Sequence, residues 1–211
     1  MEFLEPALAK YIEQHTDEEP ALLKELNRET QLKVLMPRMI SGHFQGRVIS
    51  MLTKMIKPKN ILEIGTYTGY SALCFAEGIQ EGGKLITLDI NEELEDLVRK
   101  YIDKSSYKDI IDYRIGDAAK LIPELNENFD IVFIDADKEN YAKYYDLIFD
   151  KVNKGGYIIA DNVLWSGKVV GEKIDKDTKA ILEFNKKVQD DTRVENVLFP
   201  IRDGLLIARK L

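Results

Sequence analysis

A chain of 211 residues, 45% hydrophobic and 32% charged, is long enough for one large domain with a sizeable buried core. Its net charge of −7 gives no basic footprint and disfavours a protein that coats nucleic acid, while a single cysteine, Cys74, excludes an intrachain disulfide framework. The acidic start MEFLEPALAKYIEQHTDEEP lacks the basic and apolar regions of a secretory signal, and no stretch reaches the roughly 18 apolar residues of a membrane span, so a cytoplasmic protein without membrane attachment is expected.

Residues 2–15 and 20–28 carry a helical pattern, with Leu4, Leu8, Tyr11 and Ile12 on one face of the first. From Gly42 to Ile56 the apolar residues Phe44, Val48, Met51, Leu52, Met55 and Ile56 repeat that spacing, and Pro58 stops the helix. The period then changes. Strand-like runs at 60–65, 84–90, 112–116, 129–135 and 156–161 alternate with helix-like segments at 70–80, 92–104, 117–126 and 138–151. Such alternation predicts a parallel sheet with helices on both faces. The runs are nearly continuous in Ile, Leu and Val, as strands covered on both sides should be. The closing RVENVLFPIRDGLLIARKL reads as two antiparallel strands joined through the turn Pro200–Gly204, because a short connection cannot make a parallel crossover. The expected fold is a Rossmann-like α/β domain over 1–211. It has a seven-stranded, mostly parallel sheet whose last strand is antiparallel, and a helical extension over 1–40.

In ILEIGTYTGYSAL, Glu63 lies inside the first strand, Gly65 ends it, and Gly69 opens a helix whose start carries Ser71. Glycine lets the chain take positive φ and lets a ligand approach the backbone. Asp89 ends the second strand, where an acid commonly accepts hydrogen bonds from a ribose diol. Together they describe a site for an adenosine-containing ligand. Pyrophosphate is poorly served, since Tyr67 stands where the dinucleotide fingerprint needs its middle glycine. S-adenosylmethionine, cationic and without phosphate, suits the extra carboxylate of Glu63 better. Tight-turn glycines and a helix-capping Asp89 are the plain structural alternative.

Two further strands end in acid, FIDADKENY at Asp135 and GGYIIADNVLW at Asp161, with Asn162 beside the second. Two carboxylates and an amide oxygen are hard donors that suit Mg²⁺, leaving about three positions for substrate and water. The alternative is that both acids cap helices. Lys138 follows Asp135 by three residues; beside a dication its ammonium form is disfavoured, which suits a general base, whereas a lone lysine is ordinarily solvated. Asp137 points either at the cofactor or at water.

As a set, MISGHFQGR, LEIGTYTGYSAL, TLDI, GDA, FIDADKENY, ADNVLWSG and RDGLLIARK resemble the cation-dependent class I O-methyltransferases, which include the catechol and caffeoyl-coenzyme A enzymes. The resemblance implies that Met39, Ser41, Glu63, Gly65, Ser71, Asp89, Asp117, Ala118, Asp135 and Asp137 line an S-adenosylmethionine site. It likewise implies that Asp135, Asp161 and Asn162 hold Mg²⁺, that Lys138 is the base, and that Arg38, Tyr67 and Trp165 border the acceptor. The implied reaction methylates a hydroxyl of a small catechol-type phenol, in a homodimer. The segment SGKVVGEKIDKDT lacks the long insertion of the plant enzymes for a coenzyme A tail. Two other readings remain. A hydroxylated uridine of tRNA could be the acceptor, with Lys168, Lys173, Lys176 and Lys179 as a basic rim. A nicotinamide-dependent oxidoreductase is disfavoured by the missing glycine.

Overall fold

A computed structural model describes residues 5–211; the expected helical residues 2–4, Leu4 among them, lie outside the described residues. Helix α1 spans Pro6–Gln14 and starts on a proline, which suits a first helical position because it has no N–H to leave unpaired. Its apolar face does not enter the core, since Leu8 and Tyr11 are 48% and 58% exposed. Helix α2, Ala21–Lys33, runs further than expected and buries Leu23, Leu26 and Thr30 along one face. Helix α3, Gly42–Ile56, ends where Lys57 turns left-handed ahead of Pro58.

Seven strands follow: β1 (Asn60–Ile64), β2 (Lys84–Asp89), β3 (Ile111–Ile115), β4 (Phe129–Ile134), β5 (Val152–Asp161), β6 (Val194–Phe199) and β7 (Leu205–Lys210). They form one sheet of order β3-β2-β1-β4-β5-β7-β6. β1 to β5 pair in parallel, and β7 is antiparallel to both its neighbours, its pairing with β6 being the one that the short turn between them requires. Between the strands lie α4 (Tyr70–Ala76), α5 (Glu95–Lys104), α6 (Ala118–Glu124), α7 (Tyr141–Phe149) and α8 (Lys176–Asp190). The segment expected as a helix over 138–151 opens with a 3-10 turn at Lys138–Asn140 before α7 begins.

Helix α8 was absent from the sequence expectation. Asp175 caps it, accepting from the Thr178 backbone N–H and hydroxyl at 2.8 and 2.6 Å. Thr178, Ile181, Phe184 and Val188 then sink into the core at helical spacing.

Strand residues alternate between two cores. Leu62, Ile64, Val132 and Ile134 pack with buried residues of α6, α7 and α8. Ile61, Ile131 and Phe133 pack with residues of α2, α3, α4 and α5. Each fully buried Leu, Ile or Phe stabilises the fold by about 1.5–3 kcal/mol relative to its exposed state. Strand order reverses at β1, with β2 on one side and β4 on the other. A crevice therefore opens beyond the C-terminal ends of β1 and β4, where such sheets take their ligands. Gly65 stands in that crevice at φ +102°, and a Cβ there would lie 1.9 Å from the Asp135 carbonyl oxygen. Only glycine lets the two strand ends come so close. Among the described residues no helix is long and apolar enough to cross a membrane.

Candidate functional site

A cavity of about 920 Å³ opens at this crevice, and Met39, Gly65, Tyr67, Asp89, Asp117, Ala118, Asp135 and Asp137 all line it. The glycine turn brings Tyr67 into a left-handed conformation, φ 51°, from which its N–H donates to Asp89 Oδ2 at 2.6 Å. The other Asp89 oxygen accepts from the Asn91 N–H at 2.9 Å. Asp89 therefore ties down the turn and still has lone pairs free towards the cavity. The Tyr67 hydroxyl, expected near the acceptor, donates instead to the Met36 carbonyl at 2.8 Å and straps the segment between α2 and α3 to the cavity wall. Asp117 caps α6, accepting from the Ala119 N–H. Asp137 accepts from the Tyr144 hydroxyl at 2.7 Å and from the Asn140 amide.

Glu63, Ser71 and Ser41 are buried and do not line the cavity. Thr87 Oγ1 donates to Glu63 Oε2 at 2.5 Å, while Glu63 Oε1 has no hydrogen-bond partner among the described residues. Burial pushes the Glu63 carboxyl up to about 8, against the pull of the nearby Ser71 and Thr87 hydroxyls. A buried acceptor without a donor is costly, and this one lies directly behind the turn that a cationic ligand would approach.

The second half of the site lies at the ends of β4 and β5. Register pairs Ile134 with Ala160, so Asp135 and Asp161 leave neighbouring strands together. Lys138 Nζ, buried, donates to Asp135 Oδ1 at 3.1 Å, Asn162 Oδ1 at 3.0 Å and the Tyr141 hydroxyl at 2.6 Å. Tyr141 in turn donates to the Asp161 carbonyl at 3.0 Å; burial, then the charges of Asp135 and Asp161, keep its phenol protonated. Asp161 is 2% exposed. Its Oδ1 accepts from the Asn162 N–H at 2.7 Å and its Oδ2 from Gln45 Nε2 at 2.6 Å. Burial, and next the charge of Asp135, hold the Asp161 carboxyl well above its ordinary range.

These residues fit a divalent cation. Oxygens of Asp135 and Asn162 already converge on one positive atom, Lys138 Nζ. Burial first, and then the neighbouring Asp135 charge, disfavour the negative charge on Asp161, a cost that a bound cation would relieve. Among the described residues no three His, Cys, Asp or Glu side chains form a ready-made metal cage; the hard donors at the two strand ends are the Asp135 and Asp161 carboxylates and the Asn162 amide oxygen.

Trp165 borders Lys138, its ring centroid 5.7 Å from Nζ. It lies in a loop where Asn162, Trp165 and Ser166 all have positive φ, and its Nε1 is buried without a partner among the described residues. Arg38 is exposed on the 3-10 turn Pro37–Met39 and is not brought to the cavity wall. Gln45, Tyr141 and Arg202 are partners of the site that the sequence reading did not single out. Tyr141 was within reach of it, three residues after Lys138 on one helical face. Of the candidate basic rim, Lys168, Lys176 and Lys179 are paired with Asp175, Glu139 and Glu183.

The profile of the O-methyltransferase family matches residues 13–211. The chain is 36% identical over 205 residues to caffeoyl-CoA O-methyltransferase 1 of Eucalyptus globulus, covering 92% of this chain and 83% of that one. It is 36% identical over 206 residues to the Arabidopsis thaliana caffeoyl-CoA O-methyltransferase 1, covering 92% and 79%. Its backbone is similar to an SAH-bound methyltransferase of Podospora anserina, with TM-score 0.90, 27% identity and coverage of 97% and 94%. It is also similar to an O-methyltransferase of Bacillus cereus in complex with SAH, with TM-score 0.89, 27% identity and coverage of 97% for both chains.

Proposed function

The chain belongs to the O-methyltransferase family and is an S-adenosylmethionine-dependent enzyme; on that premise we propose that it methylates one hydroxyl of a catechol-type small molecule with the help of Mg²⁺ or another divalent cation. The observation that carries this reading is the convergence of Asp135 and Asn162 on the buried Lys138, with the Asp161 carboxylate at the end of the neighbouring strand, beside a cavity edged by Asp89.

In this reading Asp89 receives the ribose diol, Asp117 and Ala118 border the adenine, and Met39, Gly65, Asp135 and Asp137 surround the methionine part, with the buried Ser41, Glu63 and Ser71 off the cavity wall. Asp135, Asp161 and Asn162 hold the cation. Lys138 and Trp165 face the acceptor, whereas the Tyr67 hydroxyl is tied to the Met36 carbonyl and Arg38 stands off the cavity wall. The paired lysines of the rim support a small acceptor over tRNA, and the side chain of Tyr67 in the turn disfavours a pyrophosphate.

A free phenol has a pKa near 10, and a bound divalent cation supplies the charge stabilisation that makes its oxygen nucleophilic at neutral pH. Lys138 Nζ, in contact with Asp135, Asn162 and Tyr141, is the general base that would take the acceptor's hydroxyl proton. The new O–CH₃ bond forms as the S–CH₃ bond breaks, and that electron pair stays on sulfur, leaving a neutral thioether. Trp165 and the positive-φ loop that carries it wall off the ring. Orientation of this kind can supply several kcal/mol of the barrier.

One catalytic domain over 1–211 with residues 1–40 as its extension, a cytoplasmic location and a homodimer complete the proposal. The exposed Leu8 and Tyr11 of α1 support a contact between copies, and a monomer by sedimentation at working concentration would remove that part. The test is methyl transfer to catechols, flavonoids and hydroxylated tRNA, with EDTA or Mg²⁺. Mg²⁺-restored transfer to a vicinal diol is expected. Transfer to tRNA alone, or undiminished transfer in EDTA, would overturn the reading.

A further inference from the structure

We infer that Gln45 is a positioning residue for the acidic end of the site, orienting Asp161 and linking it through Arg202 to the turn before β7. The inference rests on the cation reading above and deepens it. Gln45 belongs to α3, far from β5 in sequence, and is 1% exposed. A buried amide needs partners at both ends, and this one has them. Nε2 donates to Asp161 Oδ2 at 2.6 Å, and Oε1 accepts from the Arg202 guanidinium at 2.9 Å. Those partners fix which way the amide faces, because the reverse would set a carbonyl against a carboxylate and an NH₂ against a guanidinium.

The other Asp161 oxygen is held by the Asn162 N–H. With one donor on each oxygen the carboxylate cannot rotate, and its remaining lone pairs are aimed in a fixed direction. Gln45 is also neutral. An arginine or lysine in its place would satisfy Asp161 by cancelling the charge that a metal ion needs. An amide orients the carboxylate and leaves its charge available, while the positive group stands one link further off.

That positive group is anchored in its turn. Arg202 takes a left-handed conformation at φ 49°, and its guanidinium also donates to the carbonyls of Ile40 and Ser41. The neighbouring Asp203 carbonyl accepts from the Leu164 N–H at 2.9 Å, and its carboxylate from the Ser166 N–H at 2.6 Å. One turn thus braces both the start of α3 and the loop after Asn162. Partners of metal ligands commonly change metal affinity by about 10- to 100-fold.

The test uses the full chain saturated with S-adenosylhomocysteine, with Mn²⁺ titrated by calorimetry. Affinity for S-adenosylhomocysteine and thermal unfolding in EDTA are measured alongside. Gln45→Met should weaken Mn²⁺ binding about 10- to 100-fold and leave S-adenosylhomocysteine affinity unchanged. Arg202→Met should weaken Mn²⁺ several-fold, and the double variant should be no weaker than Gln45→Met alone, as expected of two residues acting in series. Wild-type Mn²⁺ affinity in Gln45→Met, or equal losses for both ligands, would overturn the inference. Additive losses would remove the link through Arg202. If Gln45→Met does not fold, Arg202→Met decides: unchanged Mn²⁺ affinity overturns the inference, and a selective loss supports it. A wild-type chain that binds S-adenosylhomocysteine but no Mn²⁺ sinks the cation reading itself, and this inference with it.

Discussion

At the end of β2, Asp89 is held by two backbone N–H groups and looks onto an open cavity. At the end of β5, Asp161 is buried, held by an amide side chain and its neighbour's N–H, and pressed by a second carboxylate. Both are acids at strand ends of one sheet, yet their surroundings prepare them for different partners. A carboxylate braced by backbone and facing solvent can accept neutral hydroxyls at little cost. A buried carboxylate beside another one demands positive charge, and here it shares a single lysine. What surrounds the acid, more than its place on the strand, is what would separate the proposed diol site from the proposed cation site.

Asp161→Ala tests the demanding side hardest. It should cut methyl transfer about 100-fold or more and abolish Mg²⁺ dependence, while S-adenosylhomocysteine affinity, measured by calorimetry, stays within about twofold. A parallel loss of cofactor binding would merge the two halves of the comparison. Lys138→Met should lower kcat by about 10²- to 10⁴-fold with cofactor affinity kept; a wild-type rate across the pH range would remove Lys138 as the base. Asp89→Ala should do the reverse of Asp161→Ala. Loss of charged hydrogen bonds worth about 1.5–3 kcal/mol should weaken cofactor binding by roughly ten- to a hundredfold and leave Mn²⁺ affinity intact.

Two smaller effects sharpen the cofactor side. Glu63 has its carboxyl raised from 4.5 to about 8 in the folded chain, so the fold favours its protonated form. Its contribution is fully present below pH 4.5 and is lost as pH rises from there to about 8. The ligand-free melting temperature should fall across that window, and Glu63→Gln should flatten part of the fall; an unchanged slope would contradict the assignment. Tyr67→Phe removes one hydrogen bond to Met36, worth about 1 kcal/mol, and should weaken S-adenosylhomocysteine several-fold at most.

Much of this was legible in the chain itself. Alternating apolar runs announced the strands, and the short turn before β7 announced its antiparallel course. Gly65, Asp89, Asp135, Asp161 and Asn162 stood at strand ends where a ligand would meet them. Helix α8 left a readable signal, with Asp175 as cap and Ile181, Phe184 and Val188 at helical spacing, but its many lysines masked the apolar face. The apolar face read for α1 stays largely exposed, because an amphipathic pattern tells which side is apolar and not what covers it. Gln45 and Arg202 could not be read at all. Their contact with each other and that of Gln45 with Asp161 span 157 and 116 residues, and only the closed sheet brings them together. Gly65 takes the positive φ expected of it and lines the cavity, and a side chain there would also strike the Asp135 carbonyl.

Crystals grown with Mn²⁺, S-adenosylhomocysteine and a catechol, with anomalous scattering recorded at the manganese edge, test the central claim most directly. An anomalous peak bonded to Asp135, Asp161, Asn162 and both catechol oxygens is the predicted result. A map without that peak, in which Lys138 still bridges Asp135 and Asn162, would contradict it.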